Sequence, residues 1–189
     1  MRLPRFLRRL LLAGLKRLTV DRRPPDFVIG GQESPYLRRW WVIPRNRWLN
    51  IYFHHFCRSD DDRALHDHPW WSMSILLEGA YIEHVPGEGP DGRPDPQRPS
   101  VIYRPEGTIA WRGAEALHRV ELMGEWKDGV IWVGSTGHRI ATKHEKPVWT
   151  LFITGPRVRE WGFACPQGWR HHLDFVDPLE PGRRGRGCD

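Results

Sequence analysis

Between residues 26 and 178 the chain consists of short runs rich in Trp, Tyr, Val, Ile and Phe, each closed by Gly, Pro or Asp. β-branched and aromatic residues favour strands, and Gly, Pro and Asp are typical of the turns between them. The spacing predicts an antiparallel sandwich or barrel, that is, an all-β domain. We expect strands over residues 37–43, 49–57, 73–77 continuing through 81–84, 101–104, 108–112, 118–122, 130–133 and 148–154.

Three segments interrupt this pattern. Residues 85–100 hold five prolines, which predicts a long loop at the end of a hairpin, because proline cannot donate a hydrogen bond in a central strand. Residues 123–129 are predicted to form a second hairpin tip. Residues 181–189 have the composition of a frayed tail.

The length and the cysteines narrow the class of protein. A chain of 189 residues with 39% hydrophobic positions is long enough for one domain with a core. No run approaches the roughly 18 apolar residues that a membrane span requires. The 3 cysteines are odd in number and widely spaced, which predicts neither a disulfide framework nor a cysteine zinc site. We therefore expect a cytoplasmic, reducing setting.

The first 25 residues are predicted to form a basic amphipathic helix that ends at Pro24 and Pro25. Its leucines follow helical spacing, and residues 1–23 carry eight basic side chains against one acidic. Docking of the leucines on the domain or on a second subunit is the favoured interpretation. Contact with a membrane or a nucleic acid is the alternative. The predicted organisation is thus a helix over 1–25, a β-barrel over 26–178 and a flexible basic tail over 179–189.

The chemistry-bearing residues are histidines. His66 and His68 are two apart, so in a strand both imidazoles point to the same face. A third imidazole, from His118, would complete a three-nitrogen site that leaves coordination positions open on Fe(II), Zn(II), Mn(II) or Ni(II). We predict that these three residues bind a divalent metal ion.

The spacing around these histidines resembles the two motifs of the cupin superfamily. The first motif runs Gly, five residues, His-x-His, three or four residues, Glu, six residues, Gly. Its positions correspond to Asp60, His66, His68, Ser72 and Gly79, so Ser72 replaces the usual carboxylate ligand. The second motif corresponds to Gly107, Gly113, Glu115, His118 and Leu122. This resemblance implies a cupin-type double-stranded β-helix, or jelly-roll barrel.

Two narrower resemblances accompany the motifs. The words HDHP and LHRVE are similar to those of the thiol dioxygenases, in which three histidines hold Fe(II) without a carboxylate. The Ser-x-His-x-Tyr strand of cysteine dioxygenases is absent, because Thr150, Phe152 and Thr154 stand there. The segments YLRRWWVIPRN, RSDDDRALHDHPW, HRVEL and WTLFITGPRVREWGF resemble small cupins of bacteria and phages over most of residues 36–175.

Other side chains are candidates for supporting roles. A metal-bound histidine needs a hydrogen-bond acceptor for its second ring nitrogen, and we assign Asp67, Ser72 and Ser74 as candidates. Further candidates for the pocket are Tyr103, Trp111, Trp149, Arg157 and Arg159. Core packing is the alternative for the aromatic residues, and a rim ion-pair cluster for the arginines. Residues 58–63 are interpreted as a solvated turn.

Together with the histidines, the resemblance implies a metal-dependent cupin enzyme, dioxygenase-like. His66, His68 and His118 would hold the metal, with Fe(II) as first choice, that activates dioxygen beside a small chelating substrate. The alternative is a non-catalytic cupin that binds a small ligand or a partner protein, with a structural or vestigial metal site. A homodimer is compatible with both hypotheses.

Overall fold

The computed structural model describes residues 1–60, 64–133, 136–177, 179 and 185–189, and between residues 129 and 142 its description is limited to the backbone. The predicted turn over 58–63 and the predicted tail over 181–189 therefore lie partly outside the described residues. The elements are α1 (Arg5–Leu18), β1 (Phe27–Ile29), β2 (Leu37–Trp41), β3 (Asn50–Phe56), β4 (Leu65–His66), β5 (Ser72–Glu78), β6 (Tyr81–Glu88), β7 (Pro94–Arg104), β8 (Ile109–Arg112), β9 (Arg119–Leu122), β10 (Gly124–Val133), β11 (Thr136–Glu145), β12 (Val148–Thr154), β13 (Gly162–Cys165), β14 (Gly168–His171) and α2 (His172–Phe175).

The strands form two layers around one interior. A six-stranded antiparallel sheet has the order β1-β2-β3-β12-β5-β8. The other layer comprises two three-stranded sheets, β7-β6-β9 and β14-β13-β4, and the hairpin β10-β11 pairs separately. Leu76 and Val148 from the large sheet pack with Tyr81, Val120 and Leu122 from the other layer. The prediction of an all-β double-stranded β-helix with an N-terminal helix is confirmed.

Strand alternation gives the six-stranded sheet two apolar faces. In β5, Ser72, Ser74 and Leu76 point inward, whereas the residues between them point outward. The outward face is covered by α1, where Leu15 packs with Trp40, Phe53 and Leu77. The sheet is therefore buried on both sides, and its inner face remains free to line a site.

Helix α1 is shorter than the prediction. It begins after Pro4 and ends at Leu18, where the hydroxyl and the backbone N–H of Thr19 both donate to Leu15 O. Its first turn holds no acidic residue, although anions favour that end of a helix. Arg8 is instead paired with Glu106 of the domain. None of the helices in the described part of the chain has the length and hydropathy needed to cross a lipid bilayer.

Two predicted loops are strands. The proline-rich segment continues β6 and β7, with Pro86 opposite Pro99, so only residues 89–93 form the turn. Prolines are tolerated there because β7 is an edge strand, and because β9 pairs with β6 only from Tyr81 to His84. The predicted tip over 123–129 belongs mostly to β10, which pairs with β11 along ten residues of each strand.

The expectation that the cysteines form no disulfide is wrong. Cys165 of β13 forms a disulfide with Cys188 across a sequence separation of 23 residues, and Cys57 is free. The backbone N–H groups of Gly185 and Gly187 also donate to Phe175 O. Residues 185–189 are therefore fixed to the domain and do not form a frayed tail. Spacing alone does not reveal this pair, because the fold brings the two residues together.

Candidate metal centre

The backbone places two of the three predicted histidines side by side. His66 N–H donates to His118 O, and His118 N–H donates to His66 O, each at 2.9 Å. This reciprocal pair is an isolated antiparallel bridge between His66, at the end of β4, and His118, just before β9. His68 lies two residues beyond His66, and its N–H donates to Ala114 O. The alternation of an extended chain then directs His66 and His68 to one face, as predicted.

The three imidazoles converge at distances that suit one ion. One ring nitrogen from each residue lies within 4.8 Å of the other two. The Nε2 atoms of His68 and His118 are 2.8 Å apart. Nitrogens bound at about 2.1 Å to one metal are separated by about 3 to 3.4 Å in octahedral or tetrahedral geometry. The donor set therefore fits a divalent metal with small adjustments.

All three imidazoles are neutral at neutral pH. Burial and the charge of Arg112 together lower the pKa of His118 to about 4, against the opposing effect of Glu83. Burial and the neighbouring histidines hold the pKa of His68 well below its usual range, and burial lowers that of His66. Neutral imidazole is the form that binds metals, so the lowered pKa values favour metal binding near pH 7.

Glu83 lies behind His118 and was not identified from the sequence. Its carboxylate is 1% exposed. One oxygen lies 3.2 Å from His118 Nδ1, although the angle is not that of a hydrogen bond. Burial alone would raise the pKa of Glu83, but His118 and Arg112 hold it well below the usual range. An anion on Nδ1 leaves Nε2 of His118 as the metal donor.

Arg112 connects Glu83 to the cavity wall. It pairs with Glu83 and donates to Ser74 Oγ at 3.1 Å and to Tyr81 Oη at 3.2 Å. Arg104 pairs with the second oxygen of Glu83 at 2.6 Å. The carboxylate is thereby fixed by two guanidinium groups, which is the support that a buried charge requires.

A cavity of about 480 Å³ opens onto the three histidines. This volume falls in the usual range for small-molecule sites. Most of its wall is apolar, formed by Phe27, Ile29, Tyr36, Leu37, Phe56, Trp70, Phe152, Trp161 and Phe163. The barrel therefore contains a space in which a ligand could contact the three histidines.

Arg39 is the cation of this wall that has no acidic partner among the described residues. Its Nε donates to His54 Nε2 at 2.8 Å, and its guanidinium lies 4.8 Å from the Tyr52 ring. His54 is 3% exposed, and its Nδ1 has no hydrogen-bond partner in the described structure. Burial and the charge of Arg39 hold the pKa of His54 well below the usual range. The pair thus brings one net positive charge to the cavity.

The other sequence-predicted residues lie elsewhere, with one exception. Ser74 does line the cavity. Ser72 is buried on the same face of β5, but its hydroxyl has no partner among the described atoms. Asp67 points away from the histidines, accepting hydrogen bonds from Gly162 N, Arg159 and Trp169. Tyr103 and Trp111 are exposed, Trp149 packs on the outer face of the large sheet, and Arg157 pairs with Glu160.

A second cluster of metal-ligand types lies near the cavity mouth. Glu160, His171 and His172 bring ligand atoms within 4.8 Å of one another. His171 Nδ1 accepts the backbone N–H of Leu173, so the proton of this ring belongs on Nε2, where it faces Glu160 at 3.1 Å. Glu160 is also paired with Arg157. The hydrogen bonds of this cluster are satisfied internally, and it suits a metal less well than the buried histidines.

Comparisons with known proteins concern the fold. No family model matches the chain, and no curated protein matches its sequence. Among solved structures, a protein with a double-stranded β-helix domain from Klebsiella pneumoniae matches with 14% identity and a TM-score of 0.42, over 72% of this chain and 90% of that one. A cupin superfamily protein from Desulfitobacterium hafniense matches with 9% identity and a TM-score of 0.39, over 64% and 77%.

The DMSP lyase DddQ from Ruegeria pomeroyi has 12% identity and a TM-score of 0.42, over 78% of this chain and 61% of that one.

Proposed function

We propose that this protein is a metal-dependent enzyme that acts on a small organic anion, with a divalent ion, Fe(II) as first choice, held by His66, His68 and His118. The observation that carries the proposal is the convergence of three neutral imidazoles on the wall of a cavity. A barrel filled by side chains at His118 would instead have favoured a non-catalytic module.

The residues of the chain have separate roles in this proposal. An ion held by three histidines supplies Lewis acidity and, for Fe(II), electrons for a dioxygenase-like reaction at its open positions. Glu83 orients His118 through Nδ1. The aromatic wall excludes water and receives the apolar part of the substrate. Arg39 binds the anionic group, because its guanidinium has no acidic partner among the described side chains.

Metal analysis tests the first part of the proposal. The protein should be purified anaerobically without a metal-affinity tag, together with His66→Ala, His118→Ala and the matched control His171→Ala. We expect near-stoichiometric metal in the wild type and in the control, and its loss in the other two variants. If the wild type binds none of Fe(II), Mn(II), Ni(II) and Zn(II), the enzyme proposal fails and a binding module remains.

Ligand screening tests the second part. Small carboxylates and phosphonates with an apolar body are added to the metal-loaded protein, and the thermal midpoint and oxygen uptake are measured. Arg39→Met should weaken the best ligand at least about tenfold, because a hydrogen-bonded charge contributes about 1.5–3 kcal/mol. Arg98→Met, on the exposed edge of β7, should bind like the wild type. Equal binding by Arg39→Met would contradict the assigned role.

A further inference from the structure

The outer face of α1 exposes large apolar side chains. Phe6 is 63% exposed and Leu10 is 67% exposed. They are four residues apart, and Arg17 follows eleven residues after Phe6, so the three share one line along a helix of about 3.6 residues per turn. Leu7 and Leu18, also exposed, flank this line on one side. An apolar stripe of this kind on a surface helix indicates an interaction site.

The domain does not cover this stripe because it holds the opposite side of the helix. Leu15 is buried, and Leu11 and Leu12 are partly buried with it, against the outer surface of the six-stranded sheet. The helix therefore lies along the surface of the domain with Phe6 and Leu10 directed to solvent. Packing against the domain therefore buries only part of the apolar surface of α1.

The charges beside the stripe are positive. The chain holds no acidic residue before Asp21. Arg8 is paired with Glu106, and Lys16 with Glu78. The structure gives no acidic partner, among the residues that it describes, to Arg2, Arg9, Arg17 and Arg22. Of these, Arg9 and Arg17 lie on α1 beside the stripe, where their exposed guanidinium groups can bind an anionic partner.

We propose that the outer face of α1 binds the surface of an anionic lipid bilayer. The apolar side chains enter the boundary between headgroups and acyl chains, and the arginines bind the anionic headgroups. A second copy of the chain is a poor occupant, because a symmetric contact would bring the same arginines face to face. A nucleic acid would pair with the arginines but leave Phe6 and Leu10 without an apolar partner.

Vesicle sedimentation tests this proposal with the full chain. Vesicles of phosphatidylcholine alone are compared with vesicles that contain about one third phosphatidylserine, which supplies a negative surface potential. We expect binding to the anionic vesicles, weakened by salt. The double substitution Phe6→Ser/Leu10→Ser should weaken it at least about tenfold through lost apolar burial. Arg9→Gln and Arg17→Gln should each weaken it about fivefold.

Matched controls distinguish binding through this face from nonspecific adsorption to vesicles. Val158→Ser removes an apolar side chain that is 66% exposed elsewhere, and Arg93→Gln removes a charge at the tip of the β6–β7 hairpin; both should bind like the wild type. The proposal is overturned if anionic vesicles do not bind, or if Phe6→Ser/Leu10→Ser binds them as well as the wild type. It is also overturned if a DNA duplex displaces the protein from vesicles and the Phe6→Ser/Leu10→Ser variant binds that duplex as well as the wild type does. A dimer in size-exclusion chromatography that these substitutions dissociate would overturn it as well.

Discussion

Glu83 links the stability of the barrel to the candidate metal centre. It is a fully buried carboxylate that faces His118 on one side and two arginines on the other. Removing a partner from such a group leaves the other charges buried without compensation. The same side chain fixes which ring nitrogen of His118 is free, so a single substitution affects two measurable properties.

We expect Glu83→Gln to lower the free energy of unfolding by about 3 kcal/mol and to weaken metal binding by about 10- to 100-fold. The free energy of unfolding is measured by chemical denaturation. Metal affinity is measured by competition with a chelating dye at pH 7 in the absence of denaturant. Glu121→Gln is the matched control, because Glu121 also contacts a histidine, His84 at 2.9 Å, but is partly exposed. A folded Glu83→Gln variant with unchanged metal affinity would refute the orienting role.

The three histidines could be predicted from the sequence, two of them from local geometry and the third from motif spacing. His66 and His68 share a face in any extended segment, and His118 occupies the matching position of a second motif. Glu83 and Arg39 could not be predicted, since they reach the site only through strand pairing. His54 did have a signal in the sequence, the alternation of β3, by which His54 and Phe56 share the face that lines the cavity.

Among the elements, the segment from β13 to the C-terminus shows what a covalent bond adds. Phe163, Cys165 and Phe175 form a small cluster with Cys188 packed against it. Phe163 and Val176 also line the cavity. The disulfide therefore links Cys188 to β13 beside residues that line the site.

Loss of this bond should destabilise the protein. The closed segment is short, with a sequence separation of 23, and a loop of this size corresponds to about 3 kcal/mol in the chain-entropy account. We expect Cys188→Ser to lower the free energy of unfolding by this amount under non-reducing conditions, and a reductant to have little further effect on the variant. Cys57→Ser is the control, because Cys57 is free. Equal stability of Cys188→Ser and the wild type would show that the bond contributes nothing.

The strand pattern predicted most elements of the large sheet. The proline content, however, predicted a loop where the β6–β7 hairpin continues. A sequence does not show which strand will lie at an edge, and only that position makes several prolines acceptable. The motif glycines were more informative. Gly79 has a φ of 81°, and a Cβ there would lie 2.8 Å from Pro147 O. Glycine is therefore required at the turn that closes the first motif.

At the scale of the whole molecule, the six-stranded sheet separates two tasks. Its inner face lines the cavity with Arg39, His54 and Phe152. Its outer face is closed by α1, which packs Leu15 onto Trp40, Phe53 and Leu77. The sequence predicted both the helix and its docking, because leucine spacing is a local signal, but which leucines dock and which remain exposed depends on the sheet.

Leu15→Ala should therefore lower the free energy of unfolding by about 2–4 kcal/mol, the usual result of truncating a buried leucine. Leu10→Ala, one of the exposed positions of the same helix, should change it by less than about 0.5 kcal/mol. Thermal or chemical denaturation of the two variants makes the comparison. Similar losses in both would indicate that the exposed stripe is covered by another part of the molecule.

The position of Asp67 between His66 and His68 has a consequence for how this chain can change over generations. The carboxylate holds Gly162, Arg159 and Trp169 on one side of the strand, while the imidazoles face the other. Insertion or deletion of one codon within this triplet would invert both faces at once, directing an acid inward and a histidine outward. Point substitutions around the cavity can accumulate gradually and alter what it admits. The tripeptide itself tolerates no insertion or deletion that changes its register, so we expect it to be inherited as a single unit.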